Sequence, residues 1–298
     1  MKNSLNLLSE SNFNDIVKRA QAICSVGECC PILCGGESRP CGRVGKGIKV
    51  ASFAVHDGEE PPVSGWNGAG NVFFSGCSAR CIFCQNWPIS HENNGKVYSE
   101  EEFVQNILKL IDKKVHNINL VTSDHYLDRV LSSFQNIREK IIVPVAYNCN
   151  GSHTEELFEI VLKISDILLF DVKYADNDLS KKFSCINDYH KYNKMNLEML
   201  LKKNIPWIEN DLGILQKGLI IRHLVLPGHI KNSLKVIEIL KSYQDRGLQF
   251  KLSLMSQYFP AYKAVTHPEI NRKLTPNEYS QVAELVEKYS IDGWVQEL

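Results

Sequence analysis

From residue 71 onward, short apolar runs recur along the chain: NVFFS (71–75), INLVT (118–122), IIVPVA (141–146), DILLFDV (166–172), GLIIRHLV (218–225) and FKLSLM (249–254). Runs of this length without polar alternation predict parallel strands covered on both faces. Between them the apolar residues return at helical spacing. Ser99 with Glu102 predicts a capping box ahead of Phe103, Val104, Ile107, Leu108 and Ile111. Ser152 with Glu155 predicts the same before Leu157, Ile160 and Val161. Thr275, Pro276 and Glu278 predict a cap, a first-turn proline and the box partner before Val282, Leu285 and Val286. Strand–helix alternation repeated six times predicts right-handed βαβ units, a parallel sheet and the α/β class. Six units are fewer than the eight of a closed barrel. A doubly wound sheet and an open, partial barrel both fit, and in either the chemistry belongs at the C-terminal ends of the strands.

The first 70 residues read differently. Phe13, Ile16, Val17 and Ala20 predict a short helix, followed by a loop-like region rich in Cys, Gly and Pro that ends in DGEEPPVSGWNGAG. The expected organisation is an N-terminal helix and Cys-rich extension over 1–70 and an α/β unit over 71–298.

Charge and composition narrow the function classes. The 298 residues carry 34 Lys+Arg and 34 Asp+Glu. Zero net charge and the lack of a basic run argue against nucleic acid. No run approaches the ~18 apolar residues of a membrane span, and MKNSLNLLSESNFND has no apolar core of a secretory signal. The expected setting is cytoplasmic, where ten cysteines are metal ligands or redox groups rather than disulfides. Eight of them lie between Cys24 and Cys84.

The densest chemistry is GCSARCIFCQNW, Gly76 to Trp87, which follows the first predicted strand and lies at the mouth of the sheet. Cys77, Cys81 and Cys84 have the spacing C-x3-C-x2-C. A structural zinc site needs four ligands, and the nearest downstream candidate is His91. A cubane iron–sulfur cluster held by three thiolates keeps one iron open for something else. One reading is a zinc knob that borrows an N-terminal cysteine; the other is a catalytic cluster, which the position at a strand end favours. Other catalytic signatures are missing: there is no GxxxxGK[ST] loop, no HExxH and no GxSxG.

The motif C-x3-C-x-aromatic-C, with Phe83 as the aromatic, resembles the signature of radical S-adenosylmethionine (SAM) enzymes. The flanking FFSG and QNW resemble the glycyl-radical-activating enzymes and, more closely, their PflX-type cousins. So do GEEPPVSG (58–65), DVKYADN (171–177), GLIIRHLVLPG (218–228), SLMSQYFPAYKA (253–264), LTPNEY (274–279) and GWVQE (293–297). The resemblance implies a partial (β/α)6 barrel and a [4Fe–4S] cluster on Cys77, Cys81 and Cys84, with SAM on the open iron. It implies reductive cleavage of SAM to a 5′-deoxyadenosyl radical, which takes a hydrogen atom from a protein glycine or another substrate. An electron donor such as flavodoxin or ferredoxin, and a glycyl radical enzyme or peptide, are the implied partners. A non-catalytic iron–sulfur or zinc protein in electron transfer or scaffolding is the alternative.

The resemblance also implies roles for single residues. Phe83 would shape the adenine pocket. Thr122, Ser123 and Asp124 stand where the activating enzymes carry Gly-Gly-Glu, and Asp124 departs from the V-T-P-T-H of the close cousins. Asn148 matches a polar position near the ribose. Lys173 would meet the SAM carboxylate, with Asp171 beside the ribose or cluster, and Arg222 would point into the barrel near SAM. Gln257, Tyr258 and Tyr262 either overhang the mouth and meet substrate or pack a loop, and His125 and His223 are proton donors or satisfied core histidines. The N-terminal segment CCPILCG (29–35) resembles the PflX-type C-x2-C-x3-C motif, but Gly27 stands where its first cysteine belongs. For Cys24, Cys29, Cys30, Cys34 and Cys41, structural zinc, an auxiliary cluster and unligated thiols are open, and a second metal, zinc or iron–sulfur, is the expectation.

Overall fold

The computed structural model describes residues 3–32, 34 and 41–297. Leu33 and Gly35 of the CCPILCG segment lie outside the described residues.

The chain opens with α1 (Ser4–Leu7) and α2 (Glu10–Ser25), followed by β1 (Ile48–His56), α3 (Pro61–Ser64) and β2 (Ala69–Phe74). Next come α4 (Trp87–Ser90), β3 (Lys96–Tyr98), α5 (Glu100–Asp112), β4 (Ile118–Val121) and α6 (Leu127–Phe134). The middle holds β5 (Val145–Cys149), α7 (Glu155–Ile164), β6 (Ile167–Asp171), α8 (Asn177–Ser184) and α9 (Tyr189–Lys203). The last part is β7 (Ile208–Glu209), β8 (Leu215–Leu224), α10 (Ile230–Asp245), β9 (Lys251–Met255), α11 (Pro276–Lys288) and β10 (Gly293–Val295).

One sheet runs β10-β9-β8-β6-β5-β4-β2-β1-β3, with β7 paired to β8 off this path. From β2 to β10 every neighbouring pair is parallel. β1 lies antiparallel to β2, and β3 antiparallel to β1. The two ends, β10 and β3, do not pair with each other, so the barrel is open. This is the partial parallel barrel rather than the doubly wound sheet.

Several local expectations shift. The run 141–146 is not a strand throughout: β5 begins at Val145. Pro144 has no N–H for a ladder, and the carbonyls of Ile141 and Val143 are taken by Asn3 Nδ2 at 2.6 and 2.9 Å. The boxes at Ser99/Glu102 and Thr275/Glu278 form. The box at Ser152 does not. Asn150 Oδ1 accepts from Ser152 N at 2.9 Å in a tight turn, and the helix starts later, with Thr154 at its N-cap. Residues 48–56, expected within a loop-like stretch, make a nine-residue strand, β1.

The main core lies between the sheet and its outer helices. It includes Phe13, Ile16, Val17 and Ala20 of α2, which packs across α6 and α7. Full burial of Phe13, Ile16 and Val17 contributes about 1.5–3 kcal/mol each. The N-terminal arm is further tied to the middle of the chain by Ser4, whose N and Oγ both donate to Asp166 Oδ1 at 2.7 Å. Inside the barrel, alternation sets layers. Ala146, Leu169 and Ile220 form an apolar floor. Two residues further along the same strands, Asn148, Asp171 and Arg222 line a cavity.

Candidate active site

The three cysteines follow β2 on a loop pinned at several backbone points. Gly76 N donates to Ile89 O at 2.9 Å, Arg80 N to Ser184 O at 3.0 Å and Ile82 N to Phe183 O at 2.8 Å. Gly76 has φ +87°, and a Cβ there would stand 1.7 Å from the carbonyl oxygen of Cys41. Glycine therefore lets the N-terminal segment close onto the cysteine loop.

Cys77, Cys81 and Cys84 pack in one small cluster with Phe83, Tyr174 and Tyr258. Burial, and then the neighbouring Cys81 and Cys84, hold the Cys77 thiol well above its ordinary range. Burial pushes Cys81 to about 11, against the pull of Lys173. Thiols that resist ionisation, as Cys77 and Cys81 do, suit a group that brings its own positive charge. Among the described residues no three His, Cys, Asp or Glu side chains are gathered to hold one ion.

The barrel mouth opens on a cavity of about 580 Å³, within the range of small-molecule and cofactor sites. Two cross-strand rows line it. Phe73, Val121 and Asn148 are register partners across β2, β4 and β5. Asp171, Arg222 and Ser253 are register partners across β6, β8 and β9. Thr122 joins the lining with φ +59°, a left-handed conformation that is a true outlier for a β-branched residue. Its N–H donates to Asn148 O at 3.0 Å.

Of the residues singled out in the sequence, Thr122, Asn148, Asp171, Arg222 and Gln257 therefore share one cavity. Phe83, Ser123 and Lys173 are not among its lining residues. Phe83 packs on Tyr258 with ring centroids 6.1 Å apart. Ser123 is wholly buried and its Oγ has no partner. Lys173 Nζ donates to Asp171 Oδ2 at 2.5 Å. Burial opposes the ammonium charge, but Asp171 and then Cys81 outweigh it and raise the lysine pKa. Tyr258 and Tyr262 follow the packing alternative. Tyr258 is buried and donates to Ile270 O at 2.7 Å, and Tyr262 stacks on Trp87. His223 is a satisfied core histidine between Val172 O (2.6 Å) and Ser233 Oγ (2.9 Å). His125 donates from Nε2 to Ser75 O at 2.8 Å, while its Nδ1 has no partner.

Two lining residues were missed as site residues. Glu59 and Glu60, just before α3, both grip Arg222. Glu59 Oε1 also accepts from Asn71 at 2.7 Å and Asn119 at 3.1 Å. Burial opposes the charges on Arg222 and Glu60, but their mutual attraction outweighs it, raising the first pKa and lowering the second. The only sequence signal was the acidic pair in GEEPPVSG ahead of two prolines.

Asp124 faces the layer behind the cavity. Its Oδ1 accepts from Tyr147 OH at 2.6 Å and lies 3.3 Å from His153 Nε2; its Oδ2 is buried without a partner. The N-terminal thiols approach from the same side. Cys29 shares hydrogen-bonding contacts with Cys24 and Cys30; the Cys24 contact and then burial raise its pKa against the pull of Cys30, and Cys24 Sγ lies 3.8 Å from Asp124 O. Cys24, Cys29, Cys30 and Cys41 are buried, and none of the ten cysteines is in a disulfide.

An open parallel barrel whose first parallel strand, β2, delivers three thiols to its mouth fits the resemblance that the cysteine motif carries. Residues 71–216, just under half of the chain, match the profile of the Radical SAM superfamily. The uncharacterized protein MJ0674 of Methanocaldococcus jannaschii is 31% identical over 231 residues, covering 74% of this chain and 62% of its own. The structure of SuiB from Streptococcus suis bound to S-adenosylmethionine superposes with a TM-score of 0.50 at 12% identity, over 74% of this chain and 48% of its own. That likeness is one of fold. The chain spans 62% of the length of MJ0674 and about half that of SuiB. Among the described residues no helix is long and apolar enough to cross a membrane.

Proposed function

We propose that this chain is a radical SAM enzyme of the cytoplasm, with Cys77, Cys81 and Cys84 holding a [4Fe–4S] cluster and SAM occupying the adjoining cavity. The observation that carries the reading is the trio of thiols, buried or half-buried at the strand end, with no fourth cysteine in their packing cluster. When bound, the cluster and SAM supply an electron and a carbon-centred radical able to take a hydrogen atom from substrate.

The chain's own residues bind and orient. Lys173 sets a positive charge beside Cys81 and Asp171 and is assigned to the SAM carboxylate. Asn148, Asp171 and Thr122 line the cavity and offer the polar atoms that ribose hydroxyls and an amino group need. Arg222 is held in place by two carboxylates, so it presents a fixed wall rather than a free cation. Phe83 backs the cysteine loop from the Tyr258 side.

The substrate assigned is a protein glycine, as in activating enzymes of the PflX type, with an external flavodoxin or ferredoxin as reductant. The buried N-terminal thiols are assigned a second metal. Their contacts and the bare Asp124 Oδ2 support it.

Anaerobic reconstitution with iron and sulfide tests the central claim. Wild-type protein with about four irons per cluster should yield 5′-deoxyadenosine from SAM and dithionite, and Cys81→Ala should yield neither cluster nor product. Full turnover in Cys81→Ala sinks the ligand assignment. A loaded wild-type protein that binds SAM and forms no 5′-deoxyadenosine sinks the catalytic reading. Zinc and iron counts on Cys29→Ala and Cys30→Ala decide the second metal.

A further inference from the structure

Two of the three ligand sulfurs are met by hydroxyls from outside their loop. Cys81 Sγ lies 2.9 Å from Ser184 Oγ, at the end of α8, and Cys84 Sγ lies 3.1 Å from Ser90 Oγ, at the end of α4. A second group backs each hydroxyl. Tyr174 OH lies 2.6 Å from Ser184 Oγ, and His91 Nδ1 lies 2.8 Å from Ser90 Oγ. Ser184, Tyr174 and Ser90 are all buried, so water does not compete for these bonds.

Helical serines commonly turn their hydroxyl back onto the carbonyl four residues before. Ser132 and Ser133 do this here, onto Asp128 O and Arg129 O. Ser184 and Ser90 do not; both aim at sulfur. With free thiols, either atom of each pair can donate. A thiolate ligand has no proton, so ligation forces the direction. Ser184 must then donate to Cys81 and receive from Tyr174, whose hydroxyl burial keeps protonated. Ser90 must donate to Cys84 and receive from an Nδ1–H of His91. That tautomer leaves Nε2 bare, and Nε2 has no partner in the structure.

We propose that Ser184 and Ser90 are positioning residues that donate hydrogen bonds to the cluster-bound sulfurs of Cys81 and Cys84 and so raise the potential at which the cluster takes its electron. The proposal rests on the radical SAM reading given above. A donor aimed at a ligand sulfur favours the reduced, more negative state. The chain of two donors behind each sulfur strengthens the effect. The electron itself comes from a low-potential reductant outside the chain.

The test is a spectroelectrochemical titration of anaerobically reconstituted protein: wild type, Ser184→Ala, Ser90→Ala, Ser184→Thr, Ser90→Thr and Tyr174→Phe. Each alanine variant should show a midpoint potential shifted to more negative values, and the double alanine variant a larger shift. Each threonine variant should return toward wild type, and Tyr174→Phe should shift in the same direction by less. Unchanged midpoints in alanine variants with full iron content overturn the proposal. If an alanine variant fails to load, loading restored by threonine supports the hydroxyl, and failure in both overturns it. A wild-type protein that takes up no cluster refutes the radical SAM reading itself, a separate outcome.

Discussion

Glu60 closes on Arg222 as a fork: Oε1 accepts from Nε at 2.8 Å and Oε2 from Nη2 at 2.5 Å, across 162 residues of chain. The same Nη2 reaches Glu59 Oε2 at 2.5 Å. One cation thus neutralises part of a paired carboxylate inside the barrel.

Removing that cation should cost more than removing one carboxylate. Arg222→Met leaves two buried carboxylates facing each other, a loss of about 3–5 kcal/mol. Glu60→Gln keeps the Glu59 bond and should lose about 1–3 kcal/mol. In wild type the depressed Glu60 pKa adds stability above the unfolded pKa, lost as pH falls through the folded one. In Arg222→Met that pKa should rise, reversing the sign, so the deficit shrinks on acidification. Urea unfolding at pH 7 and pH 5 measures both effects; equal losses for the two variants would show that the fork does not bear on stability.

His125 and His223 are buried neutral, each held near pKa 4 chiefly by burial. An unfolded histidine takes up its proton near pH 6.5. Between pH 6.5 and 4 the unfolded chain binds more protons, so these two groups make stability fall as pH falls, by about 3 kcal/mol each at the acid end. His223→Gln should lower the number of protons taken up on unfolding by about one. Calorimetry in buffers of different ionisation heat counts them, and an unchanged count excludes His223 as a source.

The left-handed Thr122 stores strain of about 1–3 kcal/mol. Thr122→Gly should therefore stabilise the protein, or leave it unchanged, while weakening SAM binding if the side chain meets the ligand. Thermal melts and titration calorimetry on reconstituted protein separate the two. A glycine variant that is both less stable and equally avid contradicts the assignment.

Gly76→Ala should act at a distance from chemistry but close to the cysteines. Its methyl group would collide with the Cys41 carbonyl, displacing either the N-terminal segment or the loop that starts at Cys77. Lower iron uptake with little change in circular dichroism is the expected result. Wild-type iron content and melting temperature would mean that the segment yields freely.

The fold was legible where local signals agreed. The boxes at Ser99 and Thr275 and the apolar runs of β4, β6, β8 and β9 match what their patterns say. β1 was missed because IKVASFAVH lies among Gly- and Pro-rich flanks and most of its positions are half-buried, the burial of a strand near a sheet edge. Ser152 resembled a cap, but its backbone N–H was claimed by Asn150. The cysteine spacing was visible because three ligands share one loop. Glu59, Glu60, Ser184 and Ser90 were not, since each gains its meaning from a partner that only the folded chain brings near: Ser184, for instance, meets a cysteine 103 residues earlier.

The close fit of the N-terminal arm to the middle of the chain has a consequence for biosynthesis. Asn3 bonds to Ile141 and Val143, Ser4 to Asp166, Arg43 to Asp128, and α2 lies across α6 and α7. None of these partners exists when residues 24–41 leave the ribosome. The early thiols therefore wait uncovered until the centre of the sheet has been synthesised. They are open to solvent before the pocket that buries them has a shape.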